Sequence, residues 1–288
     1  MLKSSLIALL LFLSANYSIC QNWSEVGGGT NNSVNAFGLY DNKLMVSGGD
    51  TFGNTAIRVV ASWNGAQWGA FGSGPSPWGG PYAYGVYNNQ LYAGGEFPSM
   101  AGVTNTKNIA RWNGNQWLSA GSTSSDNGQI KTLIVFNNEL YAGGTFTKIG
   151  GINVRRIARW NGTQWDSLQG GVTGGFGNVQ CMAVYNNELY VGGNFTSARG
   201  SLALFIAKWN GSQWSAVGSG LNNYATSMVV DTVNNMLYVG GGFSQAGGLQ
   251  ALGVAQWDGN TWSSVGSDTL WGTRALAIYH RVIWSRRK

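Results

Sequence analysis

Apolar and polar positions alternate in short runs along this chain, and the runs recur every 48 or 49 residues. Each recurrence opens on an apolar stretch ending Tyr-Asn-Asn. It continues as Leu-Tyr-Ala/Val-Gly-Gly-x-Phe, crosses a Gly-rich loop, and returns as Ile-Ala-Arg-Trp-Asn-Gly-x-Gln-Trp before a Gly/Ser stretch. The second Gly of the pair falls at Gly95, Gly144, Gly193 and Gly241, with an older-looking copy at Gly49. The Trp before Asn-Gly falls at Trp63, Trp112, Trp160, Trp209 and Trp257. A period of this length marks a repeat architecture. Complete units cover about 34–74, 83–122, 130–170, 179–219 and 226–266.

Each unit holds four strand-like runs, in the fourth unit 180–185, 189–193, 205–209 and 213–217. Asn186-Asn187 between the first two is a two-residue turn tolerating positive φ, repeated at Asn88-Asn89, Asn137-Asn138 and Asn234-Asn235. Asn210-Gly211 between the last two is a strong hairpin signal, repeated at Asn64-Gly65, Asn113-Gly114, Asn161-Gly162 and, as a variant, Asp258-Gly259. In Ile109-Ala110-Arg111-Trp112 the alternation puts Ala110 and Trp112 on one face. A two-residue turn at Asn113-Gly114 sets Trp117 opposite Ala110; a longer turn pairs Trp117 with Trp112 directly. Either register gives each sheet an aromatic patch that a neighbour must cover, and stacking such sheets around an axis gives a β-propeller.

The unit resembles the kelch repeat and the wider galactose-oxidase-like propeller group, in the Gly-Gly ending Leu189-Tyr190-Val191-Gly192-Gly193 and in Trp214 after a tight turn. It is similar above all to secreted bacterial repeats carrying Tyr-Val-Gly-Gly-x-Phe-Thr and Ile-Ala-Arg-Trp-Asn-Gly. The third strand ends in Trp where kelch units usually carry Tyr, and Asp258-Gly259-Asn260-Thr261-Trp262 echoes the Asp-box of sialidase-like propellers. The resemblance implies an all-β propeller of four-stranded antiparallel blades, five complete, with an incomplete sixth built from both chain ends. That sixth blade takes an outer strand from Trp23-Ser24-Glu25-Val26-Gly27 and an inner one from Ala275-Leu276-Ala277-Ile278-Tyr279. The repeat pattern breaks at His280, and 281–288 reads as a basic tail, either a product of truncation or frameshift or simply a short solvated end.

Composition sharpens this picture. Gly is 45 of 288 residues and charged residues are 10%, which disfavours helix. Ten of the 14 Trp lie in the five Trp-Asn/Asp-Gly-x-x-Trp pairs and equip the core. The net charge of +6 is concentrated at the ends: without Lys3, Arg281, Arg286, Arg287 and Lys288, 12 basic residues face 11 acidic ones, so no nucleic-acid partner is expected. Residues 1–20 read as a secretory signal peptide, with Lys3, the apolar run 6–13, and Ser18 and Cys20 before a cleavage at Gln21. A lipoprotein reading needs Cys20 acylated, and Ile19 before it fits poorly. No stretch reaches membrane-spanning length. Cleavage leaves Cys181 as the only cysteine, read as a small buried hydrophobe.

The strand order sends all long loops to one side, which makes that side the candidate ligand face. The blade links carry Trp78, Tyr82, Phe176, Tyr224 and Trp271; the second-to-third loops carry Lys107, Lys148, Arg155, Arg156 and Arg199. The aromatics either stack on sugar or peptide or fill gaps between blades; the cations either hold a carboxylate or are merely solvated. The link around Trp78, stiffened by Pro75, Pro77 and Pro81, is the best single recognition candidate. His280 is the only histidine, so a Ser-His or Cys-His device is not expected, nor a zinc, copper or calcium site or any cofactor. The expectation is a secreted or cell-surface, non-catalytic module binding glycan or extracellular protein. The rivals are a carbohydrate-active hydrolase or lyase using loop carboxylates among Asp50, Glu96 and Asp126, and a relic without independent activity.

Overall fold

The computed structural model describes residues 25–57, 60–72, 79–123, 128–266, 272–279 and 282–286, the last segment in its backbone. The signal-peptide region, Trp78, Asp126, Trp271 and His280 lie outside the described residues. The described residues are all-β, without helix, so no helix among them is long and apolar enough to cross a membrane.

Five four-stranded antiparallel sheets follow the repeat, strands running first to fourth in chain order. Sheet 1 is Ala36–Tyr40, Lys43–Ser47, Val60–Trp63 and Trp68–Ala70; sheet 2 is Gly80–Tyr87, Gln90–Glu96, Ile109–Trp112 and Trp117–Ser119. Sheet 3 is Ile130–Phe136, Glu139–Gly144, Ile157–Trp160 and Trp165–Ser167. Sheet 4 is Asn178–Tyr185, Glu188–Asn194, Ile206–Trp209 and Trp214–Ala216; sheet 5 is Ala225–Asp231, Met236–Gly241, Val254–Trp257 and Trp262–Ser264.

The first turn of sheets 2, 3 and 4 has both Asn residues left-handed, as at Asn88 (φ 48°) and Asn89 (φ 58°), the two-residue hairpin geometry that matches strand twist. Sheet 5 departs: Asp231 pairs with Met236 across four residues, and the Asp231 carboxylate accepts from the Val233 and Asn234 amides. The Asn-Gly turns follow the longer of the two registers, Trp112 opposite Trp117 and likewise in every sheet. The reason is the Asn side chain: Asn113 Oδ1 accepts from the amides of Asn115 (3.0 Å) and Gln116 (2.9 Å), closing a four-residue loop. The paired indoles then tilt against each other, centroids 5.4 Å apart for Trp112 and Trp117. Asn210→Ala, which removes this acceptor from Ser212 and Gln213, is expected to cost about 1 kcal/mol in denaturant titration.

The Gly-Gly pair does two different jobs. A Cβ on the second glycine would strike the facing first strand, 2.0 Å from the Gln129 carbonyl oxygen at Gly144 and 2.1 Å from the Asn178 oxygen at Gly193. A Cβ on the first would strike the next sheet, 2.5 Å from Ile130 Cγ2 at Gly94 and 2.5 Å from Val179 Cγ1 at Gly143. Each pair thus admits a bulge on one side and a neighbouring sheet on the other. In sheet 1, Leu44 pairs with Trp63 as Leu91 does with Trp112, so Gly48 holds the place of Gly95, and Gly49 lies one residue beyond it.

Successive sheets pack face to face, and core clusters span the joins. The fourth-strand indole ties the later joins: Trp165 donates to the Ala120 carbonyl, Trp214 to Leu168 (2.9 Å) and Trp262 to Val217 (3.0 Å), all at the end of the preceding sheet; Trp117 of sheet 2 is buried without such a partner. Trp68 donates to Val26 (3.2 Å) in the same way, so the N-terminal segment stands before sheet 1 as the end of each sheet stands before the next.

Three features go beyond the sequence reading. Where a basic tail is expected, Val282–Arg286 forms a strand paired with Ala275–Tyr279; Val282, Ile283 and Trp284 are strand formers. This hairpin leans on sheet 5, Thr273 and Leu276 filling the space at Gly240. The second-to-third loops also carry order of their own. Small hairpins such as Lys148–Ile149 with Ile152–Asn153 fold there and bridge to the preceding link, as Thr123 does to Ile149 and Leu221 to Ala246. Finally, in sheets 2 to 5 this loop returns through one left-handed residue, Asn108, Arg156, Phe205 or Gly253, whose amide donates to the Phe97, Phe146, Phe195 or Phe243 carbonyl.

Candidate functional site: a polar ring in the central cavity

The first strands of all five sheets meet around one cavity of about 270 Å³. Four of them carry a β-bulge at the same place, opposite the Gly-Gly pair: the register skips Tyr82, Lys131, Gln180 and Thr226. A bulge turns the extra residue off the regular alternation, and all four of these side chains line the cavity. Sheet 1 runs without a skip there and contributes Ala36 and Phe37.

At one side of this ring four polar groups converge. Glu96 Oε2 accepts from Tyr82 Oη (2.9 Å) and from Gln129 Nε2 (2.5 Å). The Lys131 ammonium lies 4.1 Å above the Tyr82 ring centroid, a cation–π contact. Burial, then the Glu96 hydrogen bond and charge, push the Tyr82 phenol up to about 12. Burial lowers Lys131, against the pull of Glu96. Thr226 Oγ1 is engaged by the Gly240 carbonyl (3.1 Å) and by that of Thr273.

Tyr82 therefore favours folding in its neutral form. Its contribution is whole below about pH 10 and is lost as pH rises through about 12. Stability measured by denaturant across that window should fall less steeply in Tyr82→Phe than in the native chain; an unchanged slope would contradict the assignment. Cys181 also lines the cavity, but burial pushes its thiol up to about 12. A thiol reagent at mildly alkaline pH should leave it unmodified until denaturant is added.

Among the described candidate binding residues named from sequence, Tyr82 alone lines the cavity. One face of its ring is taken by Lys131 and its hydroxyl by Glu96, so it serves as a platform for an internal cation. Phe176 stands 84% exposed on its link, its amide on Asn194 Oδ1, and Tyr224 is 37% exposed beside Gly242. Arg156 donates to the Thr145 carbonyl and Arg199 to Gln169 Oε1, while Lys148 and Arg155 face solvent. Sequence reasoning missed Lys131, Gln129, Gln180 and Thr226. For two of them the signal is positional: Lys131 and Gln180, like Tyr82, stand at one fixed distance before Gly143, Gly192 and Gly94, whereas Thr226 stands two residues further from Gly240. Among the described residues, no three His, Cys, Asp or Glu side chains group closely enough to hold a metal ion.

No protein-family model matches the chain, and no curated protein sequence matches it. Among solved structures it is similar to the extracellular domain of BT4673 from B. thetaiotaomicron, described as a one component system, with a TM-score of 0.54 and 11% identity. The match covers 88% of this chain and 30% of that one, so the chain spans under a third of its neighbour's length. At this identity the likeness concerns the fold: an all-β chain of antiparallel four-stranded sheets with an extracellular structural neighbour.

Proposed function

We propose that the chain is a secreted or cell-surface β-propeller of the kelch-like kind that binds glycan or extracellular protein without catalysis, through the face carrying its long loops. The observation behind this reading is the meeting of five first strands at one cavity, with bulges aiming Tyr82, Lys131, Gln180 and Thr226 into it. A stack of sheets brings all its first strands to one cavity only by turning around an axis. The N-terminal segment fits an outer strand of a sixth blade, because Val26 receives the Trp68 indole as Leu168 and Val217 receive theirs. The extracellular setting of the neighbour supports a place outside the cell.

The hydrolase or lyase reading draws little support from the site. Of the loop carboxylates Asp50, Glu96 and Asp126, Glu96 is tied to Tyr82 and Gln129, and Asp126 lies outside the described residues. A glycan array run beside polysaccharide-cleavage assays tests the choice. Binding without turnover is expected; turnover abolished by Glu96→Gln would overturn it.

A further inference from the structure

We propose that the central cavity binds an acidic sugar unit, its carboxylate on the Lys131 ammonium and its hydroxyls on the Gln180 amide. This rests on the glycan-binding reading above and names its ligand. Three observations carry it. The first is an imbalance of hydrogen bonds. Tyr82, Gln129 and Thr226 spend their polar atoms on protein partners. Lys131 has the Tyr82 ring and the charge of Glu96 but no ion pair or hydrogen-bond acceptor among the described residues, and the Gln180 side chain has no hydrogen bond there. A half-buried ammonium has three donors and no acceptor of its own, so it is completed by an anionic oxygen.

The second observation is a segregation of charge. On the turn side, Lys43, Arg159 and Lys208 are paired with Asp41, Glu139, Asp166 and Glu188. On the loop side, Lys148, Arg155, Arg156 and Arg199 make no ion pair with any described residue, and Lys131 feels the charge of Glu96 without forming an ion pair. Positive charge without ion-pair partners on the loop face raises the local concentration of anions. The third is size and polarity. A cavity of about 270 Å³ lies below the ~300–1,000 Å³ of sites for drug-sized ligands, which suits one sugar ring. The Gln180 amide, donor and acceptor at once, suits hydroxyls, which both give and take.

The test is calorimetric titration with glucuronate, galacturonate and their short oligomers, beside glucose, galactose and an acidic peptide. Uronates should bind, and glucose and galactose at least tenfold more weakly. Lys131→Met should weaken uronate binding roughly 10- to 100-fold, as loss of a charge-assisted hydrogen bond does. Lys131→Arg should retain most of it, and Gln180→Ala should cost less than Lys131→Met. An unchanged melting temperature in Lys131→Met separates loss of binding from loss of fold. Uronates that fail to bind, bind equally to Lys131→Met, or bind more weakly than the acidic peptide overturn the inference. Neutral glycan or protein bound without dependence on Lys131 leaves the broader binding function standing; no binding of any glycan or extracellular protein removes both.

Discussion

Gly144→Ala should be among the most destabilising single-methyl changes in this chain, costing about 3 kcal/mol or more. The added Cβ would sit 2.0 Å from the Gln129 carbonyl oxygen and 3.0 Å from Ile130 Cα, both backbone atoms at the bulge, so no rotamer can give way. Relief requires moving the first strand, which carries Lys131 into the cavity and packs Ile130 against sheet 2. Gly69→Ala is the matched control. Its nearest neighbour would be Ser62 Oγ at 3.9 Å, so its effect should stay within about 0.5 kcal/mol. Denaturant midpoints of the two variants decide the matter, and equal midpoints would remove the steric explanation of the Gly-Gly motif.

Trp165→Ala should cost still more, about 3–5 kcal/mol. The indole is buried, tilts against Trp160 at 5.4 Å, and donates its N–H to the Ala120 carbonyl of the preceding sheet. Truncation therefore opens a cavity within sheet 3 and leaves a buried carbonyl at the join with sheet 2 unsatisfied. A melting temperature lower by on the order of 10 °C is expected. Trp165→Phe fills the space without the donor and should fall between. Contacts in a repeat array run mainly between neighbours. Hydrogen exchange in Trp165→Ala should therefore rise first in sheets 2 and 3, with sheet 5 affected last.

Much of this was legible in the residues. The Trp pairs gave the aromatic patches, the Asn-Asn pairs the left-handed turns, and the Gly-Gly pairs the ends of second strands. What escaped was whatever depends on pairing across strands. The tryptophan register turned on whether the Asn113 side chain closed a four-residue loop, which the dipeptide Asn-Gly does not reveal. The bulges escaped because Ile130-Lys131-Thr132 reads as an ordinary alternating strand; only the opposed glycines make room for the extra residue. The candidate site escaped for the same reason. Exposed link aromatics and loop cations drew attention as recognition groups, while the groups that meet in space, Lys131 and Gln180, sat unnoticed inside first strands.

A spin-label distance between positions 37 and 226, in a Cys181→Ala background, reports most directly on how the sheets are arranged. Phe37 of sheet 1 and Thr226 of sheet 5 line the same cavity. First strands gathered around one axis predict a distance distribution centred below about two sheet spacings, ~20 Å. A distribution near four spacings, ~40 Å, would mean that the sheets lie in a row and that the polar ring does not exist.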